Sequence, residues 1–345
     1  MVRAVLKQDR NDAVSLLRFF AMCFIVACHI LRYYNHWLAW WFNVGVQIFL
    51  FLSGFLYAGR EIPDRFAFWG KNFVKILVDY YLFLFLSFPF FMVFAEGELP
   101  LSGIVDIFTF SGLTVGYGHL WFVPYILLCY LLTPLLHDAF ARGTRMWVTV
   151  VLLCALMGFA ARFFFSDWNP AWLNCYLIGF SAKKLQQSGR SSLKLTLVLL
   201  PFAGITNALR IYMDVTYFYA FESETVEFFY WILYDYSHVF LGAFLCMLVL
   251  TALQDVSFAP PLRRFLEFAN RYSYDVYLCH YGIMLGPLTL LGLTDRVWLN
   301  ILIVVLLTCV FAVVLHSLSK LVKRGLYGLR KGRKESAQGA TESSL

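Results

Sequence analysis

The chain predicts an all-α, polytopic integral membrane helix bundle, and three observations carry that reading. It is 345 residues long and 61% hydrophobic, with a mean hydropathy of +0.69. Its apolar residues fall in runs of about 20, the length that crosses a hydrocarbon core. Its Lys and Arg residues cluster in every second connection, as the positive-inside rule demands. A transmembrane barrel is excluded, because its strands would alternate apolar and polar residues over about ten positions.

About ten spans follow in order: 12–31, 40–58, 72–95, 119–136, 146–165, 168–182, 193–209, 229–251, 272–293 and 297–318. The first carries Arg18 and His29 and no small-residue cleavage site, so it is read as a membrane helix and not as a signal peptide. The second is aromatic and contains Ser53-Gly54; a basic loop with Arg60 and Arg65 follows it, and the third opens with Lys71 and Lys75. Residues 96–118 are glycine-rich and read as an outer loop. The fourth span opens with His119 and Trp121, the eighth carries Asp235 and His238, and the ninth carries His280. The sixth is short.

With the N-terminus in the cytoplasm, most of the 28 Lys and Arg residues fall on inner segments, and both termini are cytoplasmic. The net charge of +7 is therefore topological and implies no nucleic acid. Residues 1–322 are expected to form one membrane domain. The tail, 323–345, is expected to be disordered, its basic part lying on anionic headgroups. All eight cysteines lie in apolar runs without a CxxC pair, as small buried residues do. No metal-ligand spacing, P-loop or dinucleotide fingerprint appears.

Arg18 and His29 are the most informative pair. An ionisable group inside a span costs several kcal/mol and usually faces a protein interior or wet cavity. Eleven positions are about three turns plus 20°, so the two share one face about 16 Å apart. If the helix continues, Arg32 and His36 extend the stripe. A fixed cation near the inner end and an imidazole near the outer end suit an anionic ligand below and proton chemistry above. The bland alternatives are a snorkelling arginine and an interfacial histidine. Ser53-Gly54 lets another backbone or a ligand approach closely. Arg18, Arg60, Lys71 and Lys75 are candidates for a cationic inner mouth that holds phosphates. His119, Trp121, Asp235, His238 and His280 are candidates for an acceptor site.

Several segments resemble the membrane acyltransferase-3 family: RFFAMCFIVACH with its Arg-x10-His, GVQIFLFLSGFL, HLWFVPYILLCYLLTPLL, YLIGFSAKK and YSYDVYLCHYGIM. They stand in the family's order over nearly the whole chain. One block departs: after the second helix the family usually shows arginines followed by proline, whereas here Lys71, Lys75 and Asp79 stand nearby. The resemblance implies an O-acyltransferase of the bacterial cytoplasmic membrane. It would move an acyl group, commonly acetyl, from cytoplasmic acyl-CoA to a hydroxyl of a surface polysaccharide or its lipid-linked precursor, without a metal. It maps the family's essential histidine and arginine onto His29 and Arg18. Free histidine titrates near pH 6.5, so His29 is read either as general base or as transient acyl carrier. Ser53, Trp121 and an amide near Gly54 are the candidate oxyanion donors. The rival readings are a transporter or flippase for lipid-linked sugars or small anions, against which no repeated halves are visible, and a non-catalytic scaffold of glycan assembly.

Overall fold

The computed structural model describes residues 12–94, 105, 108, 117–164, 169–217, 220, 221 and 223–342. Most of the expected outer loop, 96–118, lies outside the described residues, as do residues 1–11 and the last three of the tail. Among the described residues the structure is helical, with no strand. The helices are α1 (Asp12–Tyr33), α2 (Ala39–Phe42), α3 (Val44–Ala58), α4 (Arg65–Phe94), α5 (Phe122–Ala141), α6 (Thr144–Phe164), α7 (Pro170–Gln187), α8 (Ser192–Tyr217), α9 (Glu224–Ala252), α10 (Pro260–Met284) and α11 (Val297–Glu342).

Among the described residues, eight helical segments are long and apolar enough to cross a membrane. The expected spans 168–182 and 272–293 correspond to α7 and α10, which are helices outside that set. Polar side chains explain the difference. α7 carries Asn174, Ser181, Lys183 and Lys184, and α10 carries Arg263, Arg264, Glu267, Arg271 and Asp275.

The chain forms two compact units: residues 1–63 with 124–273, and residues 64–123 with 274–345. In the first, α3 is central. It is apolar on every side, and a helix of that kind is buried: Ile48, Leu50, Phe51 and Leu52 are at most 1% exposed. α3 packs against α7, α1 and α9. The approach to α7 is main chain on main chain. A Cβ on Gly54 would run into the carbonyl of Tyr176, and one on Gly179 into the carbonyl of Phe51. Gly45 brings α3 equally close to Ala21 of α1, and Gly242 brings α9 against Gln47. The close approach expected at Ser53-Gly54 is made by the backbone of α7.

Local chemistry fixes the helix ends. α7 begins where the Asn169 side chain accepts from the Ala171 amide at 2.9 Å, with Pro170 first in the helix. It ends at Gly189, at φ +85°, where the Arg190 amide reaches back to the Leu185 carbonyl at 2.9 Å. α1 ends at Tyr33, and Asn35 turns the chain with φ 51°. His36 therefore leaves the stripe it was expected to extend, and accepts the Leu38 amide at its Nδ1 at 3.3 Å. The start of α1 is tied to α10. Arg263 donates to both carboxylate oxygens of Asp12 at 3.1 and 2.8 Å, and Asn270 donates to the Ser15 carbonyl at 2.9 Å.

In the second unit α4 packs along α11. Asp64 caps α4 by accepting the Ala67 amide at 3.0 Å. Lys323 donates to buried Asp79 at 2.6 Å, and Ser319 donates to the same oxygen. Asp275, 2% exposed, bonds His316 Nδ1 at 2.9 Å. α11 continues as helix to Glu342, through most of the stretch where a disordered tail is expected. Lys, Arg, Ala and Glu are good helix formers and prolong the apolar span that precedes them.

Candidate functional site

In the first unit, Arg18 lies within electrostatic reach of Tyr57, Tyr130 and Arg60. The rings of Tyr57 and Tyr130 meet edge to face at 5.1 Å. The guanidinium of Arg60 stands over the Tyr57 ring at 5.0 Å. Beside it, the Lys183 chain runs over Gly59, and its ammonium sits 5.0 Å from the Phe55 ring. Lys184 lies 5.0 Å from the Phe140 ring, and desolvation there pushes its ammonium below the usual lysine range. His137 Nε2 reaches the Tyr57 carbonyl at 2.9 Å. Thr133 and the Tyr176 hydroxyl share a 2.6 Å bond behind this group.

Three helices thus deliver cations to the C-terminal end of α3: α1 gives Arg18, the end of α3 leads to Arg60, and α7 gives Lys183 and Lys184, while α5 adds the imidazole of His137. The last carbonyls of a helix attract positive charge. Asp138, next to His137 on α5, is an acid within electrostatic reach of that histidine. Such a cluster, ringed by aromatic faces, favours a phosphorylated ligand.

His29 lies three turns further along α1, on the Arg18 face, with its Nδ1 shielded from solvent. Ser53 is half-buried on α3. Lys71 and Lys75 are exposed on α4, in the second unit.

The acceptor candidates divide between the units. His238 of α9 is 1% exposed. Its ring sits between two carbonyls, Tyr234 at 3.0 Å from Nδ1 and Trp40 at 2.8 Å from Nε2. Arg210 of α8, also 1% exposed, places Nη1 3.2 Å from the same Nε2. Its guanidinium is held between the rings of Trp41 and Tyr234 at 4.4 and 4.2 Å. The acid at this node is Asp214, 3.6 Å from Arg210 Nε and bonded by the Tyr230 hydroxyl at 2.5 Å. Asp235 is half-buried on the same helix as His238.

In the second unit His119 and His280 come together, with ring centres 5.3 Å apart. Both are buried, at 3% and 0% exposure. His119 Nε2 is 3.0 Å from the Leu278 carbonyl, its own carbonyl accepts the Tyr277 hydroxyl, and Tyr281 stacks on its ring at 4.8 Å. Trp121 stands half-buried next in sequence.

Sequence reading singles out neither Tyr57 with Tyr130 nor Lys183 with Lys184 as site residues, although both lysines lie in the YLIGFSAKK segment. It also passes over Arg210 and Asp275. The available signal was the rarity of charge within apolar runs, which marks Arg210 and Asp275 as it marks Arg18.

A family model described as an acyltransferase domain matches residues 11–317, a stretch that takes in both units. We found no curated protein and no solved structure that matches the chain.

Proposed function

Because this chain belongs to the acyltransferase-3 family and is a multi-pass membrane acyltransferase, we propose that it is an O-acetyltransferase. It would use cytoplasmic acetyl-CoA to modify a hydroxyl of a bacterial surface polysaccharide or its lipid-linked precursor. The observation that supports this reading is the group of cations around Tyr57 and Tyr130, joined by α1 to His29. Coenzyme A is a polyanion on a long thin arm. Its phosphates would rest on Arg60, Lys183 and Lys184 with Arg18 innermost, and the arm would carry the thioester along the Arg18–His29 face, about 16 Å.

At the far end neutral His29 takes the proton of the attacking hydroxyl as the new C–O bond forms. The C–S bond then breaks, and the departing thiolate recovers that proton from the imidazolium. Ester and coenzyme thiol leave, and no proton is gained or lost overall. Ser53 is the side chain we assign to the developing oxyanion, since Gly54 is taken up by contact with Tyr176.

The test is transfer of labelled acetyl from acetyl-CoA by purified protein. His29→Ala and Arg18→Ala should abolish transfer while leaving expression and thermal melting intact. Full activity of the His29 variant would overturn the mechanism. Stable labelling of His29 by donor alone would replace the base role with an acyl-imidazole.

A further inference from the structure

The second unit buries two carboxylates that the acyl-transfer chemistry does not use. Asp79 of α4 is 6% exposed and Asp275 of α10 is 2% exposed. They lie within electrostatic reach of one another. Both meet one stripe of α11, on which His316, Ser319 and Lys323 recur at i, i+3 and i+7. Lys323 donates to Asp79 Oδ1 at 2.6 Å, and Ser319 donates to the same oxygen. Asp275 Oδ2 is 2.9 Å from His316 Nδ1. Asp275 Oδ1 is buried without a hydrogen-bond partner among the described residues. The hydroxyl of the neighbouring Tyr274 donates to the Ile76 carbonyl at 3.4 Å, so α10 is also held to α4.

Charge identifies what this group lacks. The ionisable side chains that face it are Asp79 and Lys75 from α4, Asp275 and Cys279 from α10, and His316 and Lys323 from α11. Lys75 is exposed and acts on Asp79 from the rim. Cys279, one turn after Asp275, supplies no cation. Lys323 is committed to Asp79. Asp275 is therefore left with His316, whose imidazole carries no fixed charge. An ionised carboxylate with one oxygen unsatisfied, facing a second carboxylate, is among the costliest groups a helix bundle can bury. One proton removes that cost whichever atom carries it. On His316 it makes an ion pair with Asp275; on Asp275 it makes a neutral acid hydrogen-bonded to the imidazole. His316 is 30% exposed, which gives the proton a route from solvent.

We propose that Asp275 and His316 form a proton-binding site, which holds one proton between carboxylate and imidazole at neutral pH and by that proton fastens α10 to α11. Release of the proton leaves two like charges facing each other, Asp275 and Asp79, and a weaker hold between the helices. The site depends on no feature of the acetyl-transfer reading.

The experiment is thermal unfolding of the full chain in detergent, with the parent beside Asp275→Asn, from about pH 5 to about pH 9. The unfolded chain sheds this proton at a lower pH than the native site does, so the parent should lose stability as the pH rises. One proton changes the unfolding equilibrium by about tenfold per pH unit, which moves the melting midpoint by about 3–5 °C per unit at about 2–4 °C per kcal/mol. Asp275→Asn carries the neutral form permanently. It should melt as the parent does at the acid end and above the parent at the alkaline end, with the slope gone. Asp79→Asn removes the opposing charge by a second route and frees Lys323 to face Asp275, so its slope should also flatten, whatever its absolute stability. A parent midpoint that stays level or rises over this range would overturn the proposal. So would the parent's slope surviving in both variants. Neither result bears on acetyl transfer, because no donor is present.

Discussion

Arg210→Met probes how a buried cation is tolerated among apolar helices. Methionine keeps much of the length and volume, so the change removes the charge with little loss of packing. The guanidinium lies 4.4 and 4.2 Å from two ring centres. Each desolvated contact of that kind is worth up to about 2 kcal/mol. Its loss also leaves Asp214, 20% exposed, without the cation that stands 3.6 Å away. Breaking a buried pair by removing one partner costs about 3–5 kcal/mol. At about 2–4 °C per kcal/mol for a domain of 150–250 residues, melting should fall by on the order of 10 °C. The assay is thermal unfolding of detergent-solubilised protein. Arg210→Lys, which keeps charge but loses the planar face, should fall between. Arg210→Met with Asp214→Asn should recover part of the loss, because no unpaired carboxylate remains. A single variant that melts within about 2 °C of the parent would refute the view that this cation holds α8 and α9 against Trp40 and Trp41.

Three further outcomes can be measured. Gly179→Leu should wedge α7 from α3, costing at least about 1–3 kcal/mol as overpacking does, whereas Gly204→Ala in α8, whose Cβ would meet nothing within 4 Å, should be neutral or stabilise by about 0.5–1 kcal/mol; paired melting curves decide. Under the proposed function Arg60 and Lys183 would hold the remote end of the donor, so Arg60→Ala and Lys183→Ala should each raise KM for acetyl-CoA several-fold with little change in kcat; steady-state kinetics read this. Lys323→Met alone should lower melting more than Lys323→Met with Asp79→Asn, because the single change strands a buried carboxylate.

Much of this architecture is legible in the sequence, for identifiable reasons. The first span was expected at 12–31 and the helix is Asp12–Tyr33, because hydropathy and length alone define such a segment. The common face of Arg18 and His29 follows from helix geometry within one element. What surrounds Arg18 does not. Tyr57, Tyr130, Lys183 and Lys184 lie on other helices, and their approach depends on packing that a single sequence leaves open. Glycine at 54 announced a close contact, but only the structure names Tyr176 as the neighbour. His316, at the charged end of an apolar run, gave no sign of its bond to Asp275, 41 positions earlier.

The reciprocal contact of Gly54 and Gly179 makes α3 and α7 a clasped pair. With main chain resting on main chain, neither helix can slide or tilt without carrying the other. Arg60, Lys183 and Lys184, rooted at the same end of that pair, keep a fixed spacing however the rest of the unit breathes. Any widening falls to a less encumbered helix such as α6, whose span is only 11% buried.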